Sequence, residues 1–178
     1  KAYFEHPDYV PLLQRAYENW KEIESVSGAQ IYFPTGLFYA GKPGDTLIKG
    51  VRESAQKYNV QVESLSHAEA AKRFSQFQIP QDYNILFEPD AGFVTPERAV
   101  LVYVDQAIRA GASIRAKEKT ISWENQGDSI NVKTNKDSYT CKKLIITAGA
   151  WASTVIPELA PQFKVTRQVI AWTNPVEW

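Results

Sequence analysis

The segment "KKLIITAGAWAS" (residues 142–153) decides how the C-terminal half of this chain is interpreted. Its continuous apolar run, 144–146, is typical of a central strand in a parallel sheet. The following residues predict a short helix over 151–159. Gly149 falls at the turn between them, where a small residue lets the main chain approach a ligand and where helix N–H groups favour anions. On pattern alone, the segment is either an ordinary strand-to-helix turn or part of a site for a flat, bulky ligand.

Strand candidates and one long helix surround this segment. The turns "NQG" and "NKD" separate three candidates, which are "ASIRAKEKTISWE", "DSINVKTN" and "SYTCKKLIITA". Further upstream, Thr95 and Pro96 supply an N-cap and a first-turn proline for a helix that ends near Gly111. Apolar residues lie almost all the way round this helix, so we expect it to be buried.

The N-terminal half alternates between helical and extended patterns. Residues 8–25 have apolar side chains at spacings of three and four, which predicts an amphipathic helix. A second helix follows Asp45, and Ser66 with Glu69 has the spacing of a capping box for a short third helix. The segment "IYFPTGLFYAG" predicts a strand pair or a bent strand, which Pro34 and Gly36 interrupt. The segment "YNILFEPDAGFV" predicts two short strands around a turn.

These elements indicate an α/β fold of mixed α+β character in which two domains interleave. Residues 95–160 form a helix–strands–helix unit of the α/β type. Residues 1–94 form a mixed-sheet layer, and we expect 161–178 to return to that layer as a closing strand, "FKVTRQVIAWTN".

Composition excludes several classes of function. Twenty basic and twenty acidic residues cancel, so no net positive field favours nucleic acid or an anionic membrane. No apolar stretch approaches the roughly 20 residues that span a bilayer, and no signal peptide is recognisable. The single cysteine, Cys141, rules out an internal disulfide framework. We therefore expect a cytoplasmic protein without nucleic-acid or membrane partners.

No catalytic or metal-binding motif of the common hydrolytic kinds is present. His6 and His67 are the only histidines, each in a polar context without a partner at metal-ligand spacing, so we expect surface residues and no metal. Two lysines beside Cys141 could lower its pKa, but a half-buried strand position explains this residue better. Glu88 and Asp90 share one turn, and turn chemistry accounts for them.

The order of several motifs along the chain resembles the D-amino-acid-oxidase-like family of FAD-dependent oxidoreductases. Within that family the resemblance is strongest to the branch of monomeric sarcosine oxidase and N-methyltryptophan oxidase. The motifs cover nearly the whole chain and are "HPDYVPLLQRAYENWKEIE", "TGLFYAG", "ILFEPDAGFVTPERAV", "GASIRAKEKTISWE", "LIITAGAWAS" and "TRQVIAW".

The resemblance implies that 95–160 is part of an FAD-binding domain and that 1–94, with the return strand 161–178, is part of a substrate domain. It implies FAD as the cofactor and assigns residues to it. Ala148, Gly149 and Trp151 correspond to positions that line the flavin, and Gly149 lets the main chain approach it. Thr120 corresponds to a position whose backbone meets the adenine. The alternative for Trp151 is an aromatic residue that packs a helix start on the sheet.

On the substrate side, the resemblance places Arg167 and Gln168 on a strand leading to the active-site face. A sheet-face ion pair is the alternative for Arg167. Asp90 and Arg98 are interpreted as structural.

The same resemblance implies that essential parts lie elsewhere. The family's opening G-x-G-x-x-G turn, its flavin-attaching cysteine and its catalytic lysine, tyrosine and histidine have no counterpart here, and Cys141 is not at the attachment position. We therefore expect these residues to be the central part of an enzyme about twice as long, and inactive by themselves. Exposed sheet edges in such a piece would favour self-association.

The implied reaction oxidises a small or N-methyl amino acid, such as sarcosine, at the carbon next to nitrogen, with release of hydrogen peroxide. Its partners would be the amino-acid substrate and oxygen. Two alternatives stay open. One is a glycine-oxidase-like or dehydrogenase member of the same superfamily, and the other is a binding module without a redox role.

Overall fold

The structure, a computed structural model, describes residues 2–167 and residue 169. The chain divides into two compact units, Lys1–Ser113 and Ile114–Trp178. Helices and small antiparallel sheets occur together, which confirms the mixed fold class. The assignment of segments to a substrate domain and an FAD-binding domain stays a prediction, because compactness does not tell what a segment binds.

Unit 1, Lys1–Ser113, contains four helices and five strands among the described residues. The helices are α1 (Val10–Ser27), α2 (Thr46–Tyr58), α3 (His67–Arg73) and α4 (Pro96–Arg109). The strands are β1 (Tyr32–Phe33), β2 (Leu37–Gly41), β3 (Glu63–Leu65), β4 (Asn84–Glu88) and β5 (Phe93–Val94). The helices and four of the strands match the N-terminal sequence patterns, whereas no pattern predicted β3. Strand β1 pairs with β5 and β2 pairs with β4, so the strands on either side of each predicted turn do not pair with each other.

The core of unit 1 forms around the antiparallel sheet β2-β4-β3. Strand β4 lies in the centre, and its last four residues are buried, as a strand covered on both faces requires. Tyr39 of β2 and Leu86 of β4 pack with Ile48 and Val51 of α2. The apolar stripe of α2 therefore closes one face of the sheet, while β1 and β5 pair separately.

Residues 2–4 form a segment that we call the N-terminal strap, and it lies across α2. The Ala2 N–H donates to the Glu88 carboxylate at 3.1 Å, and the Ser54 hydroxyl donates to the Tyr3 carbonyl at 2.5 Å. A Cβ added to Gly50 would overlap the backbone of Phe4. The strap is thus held by a hydrogen bond at β4 and by close contact with α2.

The capping box at the start of α3 is confirmed. The Ser66 hydroxyl accepts the Glu69 N–H at 3.2 Å, and the Glu69 carboxylate accepts the Ser66 N–H at 2.8 Å. The Ser66 side-chain and backbone hydrogen bonds hold the pKa of Glu69 below its ordinary value.

Substitution of the capping serine should destabilise α3. We expect Ser66→Ala to lower the free energy of unfolding by about 1 kcal/mol at neutral pH. Because the pKa of Glu69 is depressed in the folded state, its contribution is present above the ordinary glutamate pKa and is lost as pH falls through the folded value. The difference between the variant and the parent in urea unfolding should therefore shrink at acidic pH, and a pH-independent difference would contradict this.

Unit 2, Ile114–Trp178, is built on an antiparallel sheet with the strand order β6-β7-β8. Its strands are β6 (Thr120–Asn125), β7 (Ile130–Thr134) and β8 (Ser138–Cys141). A 3-10 turn at Gly149–Trp151, the helix α5 (Ala152–Val155) and a second 3-10 turn at Pro157–Gln162 follow. The turns "NQG" and "NKD" and the three strand candidates around them predict this three-stranded sheet. The outer strands are shorter than their candidates, because β6 begins at Thr120 and β8 ends at Cys141.

Three predictions from the C-terminal half are wrong. The run 144–146 is not a strand, because no strand of the described residues pairs with it, and Ile145 is 85% exposed. The helix predicted over 151–159 is only α5, since Pro157 and Pro161 favour 3-10 turns after it. Residues 163–167 form no closing strand, and the rest of that predicted strand, apart from residue 169, lies outside the described residues.

The prediction that α4 is buried is also wrong for the described chain. Ala99 is its buried residue, whereas Leu101 is 69% and Ile108 is 54% exposed. One side of α4 packs on α1, where Trp20 and Tyr103 meet edge to face at 5.9 Å. The described residues cover that side and leave the opposite apolar stripe open.

Candidate cofactor site

A cavity of about 250 Å³ lies in unit 2 between the sheet and the segment 144–148. Thr120 and Trp123 of β6 and Val132 of β7 form one wall, and Val155 of α5 also lines the cavity. None of its lining residues is ionisable, and hydroxyl groups come only from threonines. The cavity therefore suits a flat, uncharged group and offers no side-chain charge to an anion.

An irregularity in β6 explains how this wall forms. Strict alternation would place Thr120 and Trp123 on opposite faces of the strand, because they are three residues apart. The pairing of β6 with β7 shifts register between Thr120 and Ser122, as at a β-bulge. Such a shift interrupts the alternation, so both side chains reach the same cavity.

Trp123 ties the sheet to the helix beyond the cavity. Its indole Nε1–H donates to the Val155 carbonyl at 3.1 Å, which fixes the orientation of the ring. A second cleft of about 340 Å³ also borders Thr120, Trp123 and Val155, and Lys119 and Asn135 line it as well. Trp123 is thus shared by an apolar cavity and a more polar cleft.

The start of β6 is anchored by a carboxylate. Glu118 accepts the Thr134 hydroxyl at 2.6 Å and the Tyr139 hydroxyl at 2.8 Å. These hydrogen bonds, that from Thr134 first, hold the pKa of Glu118 below its ordinary value, so it stays ionised near neutral pH. The Lys119 N–H also donates to the Asn135 side chain at 2.9 Å, which fixes the backbone that leads to Thr120.

The structure brings together two of the four residues predicted to bind the cofactor. Thr120 and Ala148 line the same cavity. Gly149 has φ +54° with open space where a Cβ would project, and its neighbour Trp151 is 71% exposed. Neither is among the lining residues, so their roles at the cofactor stay predictions.

Neither of the two residues predicted on the substrate side is among the residues that line this cavity. Arg167 is exposed, and Gln168 lies outside the described residues. No sequence pattern indicated Trp123 and Val155, which line both the cavity and the second cleft. Ile121 and Trp123 alternate with polar residues along the strand, although both are exposed in the structure. The register shift that turns Trp123 toward Thr120 leaves no signal in the sequence.

Loss of the indole hydrogen bond should loosen the cavity wall. We expect Trp123→Phe to lower the free energy of unfolding of unit 2 by about 1–2 kcal/mol, since the Val155 carbonyl loses its donor and the ring becomes smaller. Urea unfolding, together with hydrogen exchange of the α5 amides, measures this. Ile121→Val on the same strand is the control, and an equal loss in both variants would argue against a specific role for the indole N–H.

The described residues offer neither a metal site nor a membrane-spanning helix. Within residues 2–167 and 169, no group of three or more histidine, cysteine, aspartate or glutamate side chains is placed to hold a metal ion. None of the helices formed by these residues is both long and apolar enough to cross a membrane.

The sequence matches a family model over residues 2–178, and that model describes the FAD dependent oxidoreductase family, DAO. The match covers almost the whole chain, which therefore belongs to the DAO family of FAD-dependent oxidoreductases. The mixed fold and the apolar cavity of unit 2 are consistent with this assignment.

Relatives with established names support the same family. The chain is 34% identical over 175 residues to monomeric sarcosine oxidase of Streptomyces avermitilis, covering 98% of this chain and 46% of that protein. It is 30% identical over 173 residues to N-methyl-L-tryptophan oxidase of Yersinia pestis, covering 96% and 46%. The chain thus spans about half the length of the curated relatives it matches.

A solved structure shows the same fold at lower identity. L-proline dehydrogenase from P. horikoshii superposes with a TM-score of 0.75 at 19% identity, covering 93% of this chain and 44% of that one. At this identity the similarity concerns the fold alone.

The cavity of unit 2 fits one part of FAD. FAD consists of flat ring systems joined through a charged pyrophosphate. The apolar walls and the hydroxyl of Thr120 suit a ring. A pyrophosphate needs cations or convergent N–H groups, and no lining side chain supplies a charge. The fit is therefore to a ring of the cofactor and not to its phosphates.

Proposed function

We propose that the full-length protein oxidises a small amino acid, with an N-methyl amino acid such as sarcosine as the substrate, and releases hydrogen peroxide. The observation that carries this proposal is the 34% identity, over 98% of the chain, to monomeric sarcosine oxidase. In the reaction, the carbon next to nitrogen loses a hydride and the nitrogen loses a proton. Water hydrolyses the resulting imine, and oxygen takes up the two electrons as peroxide.

Bound FAD supplies the two-electron acceptor for this chemistry, and the protein positions it. One ring of the cofactor would lie in the cavity of unit 2, which Thr120 and Ala148 both line. The adenine role of Thr120 and the flavin role of Ala148 therefore do not both apply at this cavity. Gly149 and Trp151, just after Ala148 in the chain, would extend this surface, and Gly149 has open space where a Cβ would project. We also assign Arg167 and Gln168 to the substrate side. A guanidinium there suits the substrate carboxylate, since charge-assisted hydrogen bonds offset the desolvation of a buried anion.

The deciding experiment is an absorbance spectrum of the full-length protein, followed by peroxide release with sarcosine, N-methyl-L-tryptophan and glycine. We expect a flavin spectrum that bleaches anaerobically with sarcosine and returns in air. Bleaching only with N-methyl-L-tryptophan or glycine would keep the family and change the substrate. Bleaching that air does not reverse indicates a dehydrogenase. A well-folded, colourless protein that takes up no FAD would contradict the proposal and favour a binding module.

The proposed role of Gly149 can be tested by a matched pair of glycines. Gly149 (φ +54°) and Gly127 (φ +88°) are both left-handed, with open space where a side chain would project. Valine at either position costs about 1–2 kcal/mol of backbone strain. We expect Gly149→Val to retain at least tenfold less FAD than Gly127→Val after gel filtration, because only Gly149 flanks the cofactor. Equal flavin content at equal stability would remove Gly149 from the site.

A further inference from the structure

A separate cleft of about 670 Å³ opens in unit 1 at one end of the sheet β2-β4-β3. At this end β2 stops at Gly41, which pairs with Asn84 at the start of β4. Strand β3 stops at Leu65, which pairs with Ile85. The cleft is lined by residues at or next to these strand ends, and Arg52 of α2 lines it from the helix side.

Groups that can carry positive charge predominate in this cleft. Lys42, Arg52 and His67 line it, against one carboxylate, that of Asp82. This local excess stands out in a chain whose formal net charge is zero. The His67 ring is held in place, because its Nε2 donates to the Pro80 carbonyl at 2.9 Å. A carbonyl oxygen only accepts, so this nitrogen carries the proton.

The cations of the cleft are available for a ligand. Among the described residues, neither Lys42 nor Arg52 forms an ion pair within 4.0 Å. Nearby cations behave differently, since Lys57 on the same helix pairs with Asp8 at 2.6 Å and Arg73 pairs with Glu63 at 2.6 Å. The guanidinium of Arg52 therefore keeps its forked set of donors, which matches the two oxygens of a carboxylate or phosphate.

The same cleft also offers apolar surface. Leu65, Tyr83 and Ile85 line it together with Pro43, and Ile85 belongs to the buried core. A ligand that fills the space would place a charged group near the cations and a hydrocarbon or ring body against these residues. Inorganic ions alone would leave most of the volume unused.

We propose that this cleft binds a small organic anion, whose carboxylate or phosphate group is held by Arg52 and Lys42 and whose apolar body lies against Leu65 and Tyr83. The site belongs to unit 1 and uses no residue of the cavity assigned to FAD. Binding at this site therefore does not depend on the flavin chemistry. The proposal holds even if the proposed function is wrong.

The test titrates the full chain with inorganic phosphate, phenyl phosphate and phenylacetate, at constant ionic strength maintained with chloride. Binding is followed by calorimetry and by amide chemical shifts of residues 42, 65 and 84. We expect saturable binding of a phenyl-bearing anion that is at least fivefold tighter than that of phosphate, because only it contacts the apolar wall. Tighter binding of phenyl phosphate or of phenylacetate shows whether the cleft prefers a phosphate or a carboxylate group. Either result supports the proposal.

Matched variants decide whether binding is specific. We expect Arg52→Gln to weaken binding about tenfold, and Arg52→Lys to weaken it less, since it keeps the charge but loses the fork. Lys49→Gln removes one charge from the same helix outside the cleft and should leave affinity unchanged. Far-UV circular dichroism checks that each variant folds. Absence of saturation with every probe, or equal weakening in Lys49→Gln and Arg52→Gln, would overturn the proposal.

Discussion

Replacing Glu88 with alanine should lower the free energy of unfolding by about 4 kcal/mol, the largest effect that we expect from a single substitution. Glu88 is fully buried at the end of β4. Its Oε2 accepts the Ala2 N–H at 3.1 Å and the Tyr39 hydroxyl at 3.2 Å. Alanine would leave both donors buried without this acceptor and would also open a cavity beneath the N-terminal strap.

The electrostatic environment keeps Tyr39 a donor in this arrangement. Burial first, and then the neighbouring Glu88 carboxylate, raise the pKa of Tyr39 above its ordinary value, so the phenol stays protonated at neutral pH. Tyr39→Phe removes the donor without removing the acceptor. A double-mutant cycle with Glu88→Ala should therefore give a coupling energy of about 1 kcal/mol.

Denaturant unfolding and hydrogen exchange measure the effect of Glu88→Ala. The Ala2 amide should lose its protection, because its acceptor is gone. Glu88→Gln is the matched control, since it keeps the size and one acceptor oxygen, and it should lose about half as much stability. A loss below about 1 kcal/mol for Glu88→Ala, with Ala2 still protected, would show that other contacts hold the strap.

The second large effect is expected for Gly50→Ala, which should lower the free energy of unfolding by about 2 kcal/mol or more. In an exposed helix the same substitution would stabilise by up to about 1 kcal/mol. Gly50 lies in α2 under the strap, however, and its new methyl group would overlap the Phe4 backbone. Backbone cannot move aside as a side chain can, so the strap itself must shift.

The sign of the stability change caused by Gly50→Ala distinguishes a helix covered by the strap from an exposed helix. Lys49→Ala, one residue away on the exposed face of α2, should change stability by less than about 0.5 kcal/mol. Thermal and urea unfolding of both variants give the comparison. A neutral or stabilising Gly50→Ala would mean that the strap does not lie against α2 in solution.

Local signals in the sequence were sufficient to predict most of unit 1 and the sheet of unit 2. The capping box at Ser66 and the turns between β6, β7 and β8 depend on residues close together in the chain, so pattern identifies them. The run 144–146 and the helix α4 were predicted from apolar composition, which signals burial without telling which residues supply the cover. Among the described residues, none covers Ile145 or Leu101, and both side chains are exposed.

The candidate site was only partly predictable for a similar reason. The resemblance assigned Thr120 to the adenine and Ala148 to the flavin, whereas the structure brings both residues to one cavity. Trp123 could not be assigned, because its position depends on the register shift in β6 and on a hydrogen bond to Val155, 32 residues away. The role of Glu88 was missed as well. Its place next to a turn accounted for a carboxylate there. Its burial depends on contacts with Tyr39 and Ala2, which are 49 and 86 residues away in the chain.

The N-terminal strap also has a consequence for the order of events during synthesis. Its anchor at Glu88 is 86 residues downstream of Ala2, so the contact order of this pairing is high. At roughly 5–20 residues per second, the ribosome produces the strap on the order of ten seconds before its anchor. Until β4 emerges, Ala2 has no buried acceptor, and the edge of α2 at Gly50 stays uncovered. The nascent chain therefore exposes the side of α2 at Gly50 until β4 is made, and a chaperone that acts on unit 1 could bind it there.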